Sequence, residues 1–481
     1  MSGEATLGTK ATRAAAWSGV STIVLRAGGF AVGIVLARVL GPEQFGVYAV
    51  ALTVQAVLMA VADLGLSAEL IRSADHERRA PTVATLGLVT GTILAAATVL
   101  ASRPLAEALG APDAAPAVAV LGVTLALGGA GVVPLAELQR SFNQRALFIV
   151  AIADFVVSTS VTLGLVTLGW GALAIAVGRL AAQVVATVLQ FVLARVRPVF
   201  RVDRSLLRPI LAFGLPVAGA NVLSWALLNI DNVVLARVAG ATTLGFYVLA
   251  FNISNWPMSV LSQMLRSVAL PYFSQAGDAR GALNRLVGVA WAFSLPAGIT
   301  IAVLARPIVE MVYGEAWLAA VPALAALGFF GCLRVPFDVF ASYLYAIGRS
   351  RPVLWVQVVW FVVLTAGMIV ATRAWGIVGA GWVHVVVAVA VILPAFAIAL
   401  RSSGVSLRAL AAACWVPCAA AVPAAAVAML ATRLESPVAA TLLGGAGALL
   451  TYLVLAGPWL LRGWRTLRAA PAVAAEPAAA L

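Results

Sequence analysis

The chain has 481 residues, 63% of them hydrophobic and 10% charged, with a mean hydropathy of +1.04. A soluble domain needs far more polar surface, so composition excludes one and makes the bilayer the solvent. The net charge of +13 would suggest nucleic acid in a soluble protein, but here the arginines lie between apolar segments, as membrane-surface loops require, and no nucleic-acid partner is expected.

The N-terminus carries Lys10 and Arg13 and then an apolar run, Ala14 to Leu40, which is too long for a signal-peptide core and reads as a retained first span. Spans of roughly 20 apolar residues follow near 14–40, 44–67, 81–101, 115–137, 147–168, 171–194 and 209–236, and then near 243–265, 286–305, 317–344, 353–372, 375–400, 409–431 and 438–461. The expected fold is therefore all-α and polytopic, with about fourteen transmembrane helices. Turn residues separate the spans: Gly41-Pro42, Gly169-Trp170-Gly171, Ala239-Gly240 and Trp375-Gly376.

Basic residues orient this topology. With the N-terminus inside, 22 of the 31 fall in inner segments and six at outer ends, while Arg26, Arg179 and Arg334 lie within spans. That bias places both termini in the cytoplasm. A single lysine among 31 basic residues, with abundant alanine and glycine, points to a GC-rich bacterial genome, and hence to a multi-pass protein of the bacterial inner (cell) membrane. The linker from Arg195 to Arg208 carries five arginines; it reads as an ordinary positive-inside loop, or as a cradle for anionic lipid headgroups.

An internal repeat sets the organisation. Ile34–Ala51 and Val233–Ala250 align without a gap at an offset of 199, with nine of eighteen positions identical, including Arg38/Arg237, Gly41/Gly240, Gly46/Gly245 and Tyr48/Tyr247. Six helices separate the copies, so both run the same way through the membrane. This implies two parallel six-helix lobes related by an axis along the membrane normal, plus two C-terminal helices. The expected divisions are a cytoplasmic N-terminus (1–13), an N-lobe (14–194), the basic linker (195–208), a C-lobe (209–400), two extra helices (401–461) and a cytoplasmic Ala/Pro-rich tail (462–481).

The stretch ARVLGPEQFGVYAVA (Ala37–Ala51), followed by DLGLSAELIR (Asp63–Arg72), resembles the polysaccharide-transporter family of the multidrug, oligosaccharidyl-lipid and polysaccharide exporter superfamily. Its L-G-P-x-x-F-G-x-Y-A turn is matched by Leu40 to Ala49, and AIGRSRP (Ala346–Pro352) is similar to its A-x-G-R/K turn. In helix number and order the resemblance covers most of the chain; the sequence-specific part is about thirty residues. It implies a Wzx-type flippase that moves undecaprenyl-pyrophosphate-linked sugars, not an enzyme, with a lipid-linked oligosaccharide as substrate, membrane lipids around it, and a polysaccharide polymerase or glycosyltransferase as partner. No functional role carries over to the motif residues themselves.

Ionisable groups within spans are costly and mark interiors or hydrated cavities. Helix eight carries a stripe of Asn252, Asn255, Ser259, Gln263 and Arg266 with Trp256 beside it; helix seven adds Asn221, Trp225, Asn229 and Asn232, with Asp231 adjoining. These are expected to wall a water-filled cleft. Arginine matches phosphate through its planar fork, whereas Asn, Gln and Trp suit sugars, so Arg26, Arg179 and Arg334 are the candidates for the headgroup. The competing reading pairs each arginine with an aspartate: Arg334 with Asp338, four residues on, and Arg179 with Asp154. Arg179 heads a further stripe of Gln183, Thr187 and Gln190. Asp63, Asp154 and Asp231 are candidates for coupling to a proton or sodium ion, or else simple helix–helix hydrogen bonders. His384 reads as structural, and Gly29 and Gly33 as a G-x-x-x-G that lets helices approach.

Cys332, Cys414 and Cys418 lie in apolar segments with too few ligands for a metal site, and no phosphate-binding loop for ATP occurs, so no cofactor is expected. Rival functions are a drug or cation antiporter of the same superfamily, a lipid II flippase, and a membrane-embedded glycosyltransferase or polymerase. An antiporter would want acidic residues and few arginines at its centre; a glycosyltransferase would want a large external loop. The longest outer loops, near Arg103–Ala114 and Arg306–Ala316, hold about a dozen residues each and bring no His or nucleophile to their acids.

Overall fold

The computed structural model describes residues 2–62, 64–73, 75–141, 143–275 and 278–469, with side chains except at 2–26, 60–61, 220, 224, 227–228, 266–268, 270–271, 274–275 and 463–469. Among these there is no strand. The helices are α1 (Ser2–Ala62), α2 (Leu66–Arg72), α3 (His76–Leu100), α4 (Ser102–Ala108), α5 (Ala115–Arg140), α6 (Gln144–Thr167), α7 (Ala172–Ala194) and α8 (Arg204–Gln275). There follow α9 (Ala279–Val303), α10 (Ala305–Tyr313), α11 (Val321–Ala346), α12 (Ser350–Val387), α13 (Leu393–Arg401), α14 (Leu407–Ala431) and α15 (Pro437–Ala469). They pack into two compact units, Met1–Gly245 and Phe246–Leu481.

Among the described residues, twelve helical stretches are long and apolar enough to cross a membrane, against the fourteen expected. The difference arises at two glycines. Gly41 (φ 71°, ψ 175°) interrupts α1 and Gly376 (φ 56°, ψ −135°) interrupts α12, so each turn occupies one residue and leaves one continuous helical stretch around it. Gly240 (φ 84°, ψ 171°) breaks α8 in the same way. Positive φ is strained for any residue with a Cβ, which is why glycine stands at all three turns. The second span, expected to reach residue 67, stops at Ala62. Leu64 and Gly65 both take positive φ, and α2 restarts as a separate short helix.

The repeat seen in sequence extends through the backbone. Both α3 and α9 have 25 residues, and each leads through a short helix and a 3-10 turn into a 26-residue helix, α5 or α11. Those two helices carry proline in the first turn and again inside, at Pro134 and Pro336. The short helices α4 and α10 occupy what sequence alone made featureless outer loops. Gly171 repeats the angles of Gly376 almost to the degree (φ 56°, ψ −137°).

Close packing rests on small residues, as expected where lipid offers no hydrophobic drive between helices. In the first unit α3 crosses α5 at Gly87, Gly91 and Gly129; a Cβ on Gly87 would sit 2.7 Å from the Gly129 carbonyl oxygen. In the second, α9 meets α11 at Gly298 and Gly328, and α14 and α15 close over α9, where Gly288 faces Trp459. Substituting Gly129 by valine should therefore force α3 and α5 apart and cost about 2–3 kcal/mol, read as a lower denaturation midpoint in detergent; an unchanged midpoint would contradict this packing.

Within the first unit the two copies of the repeated turn touch each other. A Cβ on Gly46 would strike the backbone of Ala241, and one on Gly245 would lie 2.9 Å from the Pro42 oxygen and 3.0 Å from Gly46. Since 241 and 245 are 42 and 46 displaced by 199, each copy meets the other through equivalent positions.

Candidate functional site

Of the three arginines that the sequence places within spans, Arg179 and Arg334 have described side chains. Arg334 stands midway along α11, where Val335 and Pro336 are buried and the arginine is partly so. Its Nη1 donates to Asn255 Oδ1 on α8 at 2.9 Å. Around the pair, Phe251, Ser254, Met258 and Phe330 line a small cavity. Gly331 keeps it compact, because a Cβ there would press on the Met258 side chain. Of the Asn252–Gln263 stripe, Asn255 is thus brought to a cation, while Asn252, Trp256 and Gln263 are exposed and the Ser259 hydroxyl donates to the Trp256 carbonyl at 2.9 Å.

Arg179 on α7 lies 3.5 Å from Asp154 on α6. Both are partly exposed, so the pair weighed from sequence forms. The rest of that stripe turns inward: Gln183 donates to Thr187, Thr187 to the Leu127 carbonyl, and Gln190 is buried against Gly131 of α5. Those three side chains are internal packing of the first unit.

On α8, Asn229 Nδ2 donates to the Trp225 carbonyl one turn back at 3.1 Å; Asn221 is exposed and Asp231 is buried, accepting from the Asn232 amide at 2.9 Å. The Arg26 and Arg266 side chains, and Asp63 altogether, lie outside the described residues.

His384 is buried, as a structural role demands. Its Nδ1 sits 3.0 Å from the Ala380 oxygen, its Nε2 3.4 Å from the Tyr247 hydroxyl, and its ring packs on Phe330. The glycine reading needs correction. A Cβ on Gly29 or Gly33 would meet nothing within 4 Å, whereas one on Gly28 would strike the Phe155 ring of α6 at 2.8 Å. Close approach depends on the helical face, and Gly28 occupies the one turned to α6. Among the described residues no cluster of three or more His, Cys, Asp or Glu could hold a metal; Cys418 instead accepts from Trp291 Nε1 at 3.0 Å.

One polar centre escaped sequence reasoning. Glu69 of α2 is fully buried, with Arg72 at 2.7 Å and Arg79 on its other oxygen. Arg72 also stacks 4.0 Å over the Phe213 ring of α8, and Arg140 caps α2 by donating to the Ser73 carbonyl at 2.6 Å. The Glu-x-x-Arg spacing in Asp63–Arg72 was the available signal; the burial that gives it weight comes from packing of α2 against α3 and α5.

Comparison with known proteins places this arrangement. A family model described as polysaccharide biosynthesis protein matches residues 35–322, more than half the chain. The lipopolysaccharide biosynthesis protein WzxC of Escherichia coli (strain K12) is 27% identical over 71% of this chain and 70% of its own length. The succinoglycan biosynthesis transport protein ExoT of Rhizobium meliloti (strain 1021) is 26% identical over 72% and 71%. In fold, the chain is similar to the lipid II flippase MurJ in an inward closed conformation, with TM-score 0.74 and 13% identity over 94% of this chain and 99% of that one. An inward-facing multidrug resistance MATE transporter gives TM-score 0.64 at 18% identity over 81% and 98%. This is a multi-pass membrane protein with a transporter fold. It belongs to the polysaccharide biosynthesis protein family, the Wzx-type transporters that its Leu40–Ala49 turn resembles.

Proposed function

We propose that this protein moves a polyprenyl-pyrophosphate-linked oligosaccharide from the cytoplasmic to the outer leaflet by alternating access. One observation carries the reading beyond family membership: a guanidinium sits at mid-span on α11, tied to an asparagine of α8 beside a small cavity. A charge at that depth costs about 2.5–3.5 kcal/mol on insertion, and the planar guanidinium suits a phosphate.

In this reading the headgroup enters from the cytoplasm while the prenyl tail stays in lipid. Arg334, Arg179 and Arg26 hold the pyrophosphate, and Asn221, Trp225, Asn229, Asn252, Asn255, Trp256 and Gln263 meet the sugars. Arg179 is shared between Asp154 and the substrate, so that protonating Asp154 would free the arginine for phosphate. Asp231 and Asp63 are the other acids through which a proton or sodium ion would couple. Both termini lie in the cytoplasm, and a polymerase or glycosyltransferase works alongside.

The test uses protein reconstituted in vesicles with a labelled polyprenyl-pyrophosphate oligosaccharide. Translocation is expected, and Arg26→Gln should abolish it without blocking expression. Movement of a lipid-linked muropeptide instead, or of neither, would overturn the assignment. If Asp63, Asp154 and Asp231 all become Asn and the pH and sodium responses persist, ion coupling through them is wrong.

A further inference from the structure

The stretch between α7 and α8 is a fixed strap. The Arg201 amide donates to the Pro81 carbonyl at 3.4 Å, the Asp203 amide to Thr82 Oγ1 at 3.1 Å, and Arg78 reaches the Asp203 carboxylate at 3.3 Å. The Ser205 hydroxyl and amide hold the Asp203 carboxyl below the usual carboxylate range, so that anchor stays charged. Residues 196–203 run without helix along the start of α3.

What the strap presents is unusual for a solvated loop. Arg195, Arg197, Arg201, Arg204 and Arg208 are exposed, and interleaved with them Val199, Phe200 and Val202 are each about half exposed. Basic residues alternating with bare apolar ones suit an interface that is anionic at one level and greasy just below it. Beneath the strap lies a cavity of about 340 Å³, walled by Ala84, Val133, Phe191, Val199 and Phe200, within the ~300–1,000 Å³ of small-ligand sites.

We propose that the strap and this cavity bind one anionic phospholipid, its acyl chain in the cavity and its phosphate on Arg197, Arg201 and Arg204. Two carboxylates also reach the cavity, and they do not cancel the attraction. Glu137 faces His76 at 3.9 Å, and Glu77 is exposed; the 195–208 segment carries five arginines against the single Asp203. The inference rests on the transport reading only for the side of the bilayer. Lipid retention is measured without transport, so the two fail separately.

Full-length protein in detergent, titrated with phosphatidylglycerol or phosphatidylcholine and read by native mass spectrometry, tests it. Wild type should prefer phosphatidylglycerol. Each surface arginine contributes about fivefold, so Arg197→Gln, Arg201→Gln and Arg204→Gln together should weaken that lipid on the order of a hundredfold and zwitterionic phosphatidylcholine far less. Phe200→Ser, at an exposed position that spares the fold, should weaken both lipids about tenfold. Equal binding of the two lipids by wild type, or full phosphatidylglycerol retention by the triple variant, would overturn the headgroup site. No loss on Phe200→Ser would overturn the acyl site, and displacement by millimolar inorganic phosphate would identify a bare anion site instead.

Discussion

Arg334→Ala is expected to reduce oligosaccharide translocation by at least about thirtyfold, since a charged hydrogen bond to phosphate is worth about 2–3 kcal/mol. Stability should move much less. Removing a mid-span charge relieves about 2.5–3.5 kcal/mol of insertion cost, while leaving Asn255 Oδ1 without its 2.9 Å donor returns about 1–3 kcal/mol. The variant should therefore accumulate and denature much like wild type while failing to transport. Two companions separate substrate binding from simple satisfaction of Asn255. Arg334→Lys keeps the charge but loses the planar fork, and should transport at an intermediate rate. Asn255→Ala removes the acceptor that positions the guanidinium and one of seven sugar contacts but keeps the cation, so its defect should be the smaller one. Were Asn255→Ala as damaging as Arg334→Ala, the arginine would be serving the asparagine and the phosphate contact would be lost from the mechanism.

Glu69→Ala should be the most damaging single change to folding. The carboxylate is wholly buried, and its loss strands Arg79, which is largely buried, without a counter-charge. Breaking one side of a buried ion pair costs about 3–5 kcal/mol; the lower end applies because Arg72, the other partner, is 54% exposed and can turn to water. A sharply lower denaturation midpoint and poor membrane accumulation are expected. Pairing the change with Arg79→Leu should recover part of the loss, since the stranded charge goes with it. If Glu69→Ala denatures like wild type, the cluster is ornamental and α2 is held by packing alone.

Much of the fold was legible because its signals are local. Apolar run length and the glycine at each turn depend on neighbours in sequence, and so does the copy at Ile34–Ala51 and Val233–Ala250. The Asp154–Arg179 contact could also be anticipated, because the two sit on helices joined by one short turn. What stayed hidden depends on distant partners. The burial of Glu69 depends on α2 packing against α5 and α3, and its partner Arg72 meets Phe213, 141 residues away. Gly28 rather than Gly29 or Gly33 takes the close contact because Phe155 approaches from one azimuth only, and no spacing rule supplies that direction. The stripe from Gln183 to Gln190 reads from sequence as a polar face of unknown outlook; its burial against α5 is a tertiary fact.

The meeting of Pro42 and Gly46 with Ala241 and Gly245 is reciprocal. When residue i of one copy faces residue j of the other, and j in turn faces i, the contact is isologous, the kind that closes a symmetric pair without leaving a free sticky end. A bulky side chain at Gly46 and one at Gly245 should therefore wedge the same seam open from opposite sides, and the two changes should give like defects.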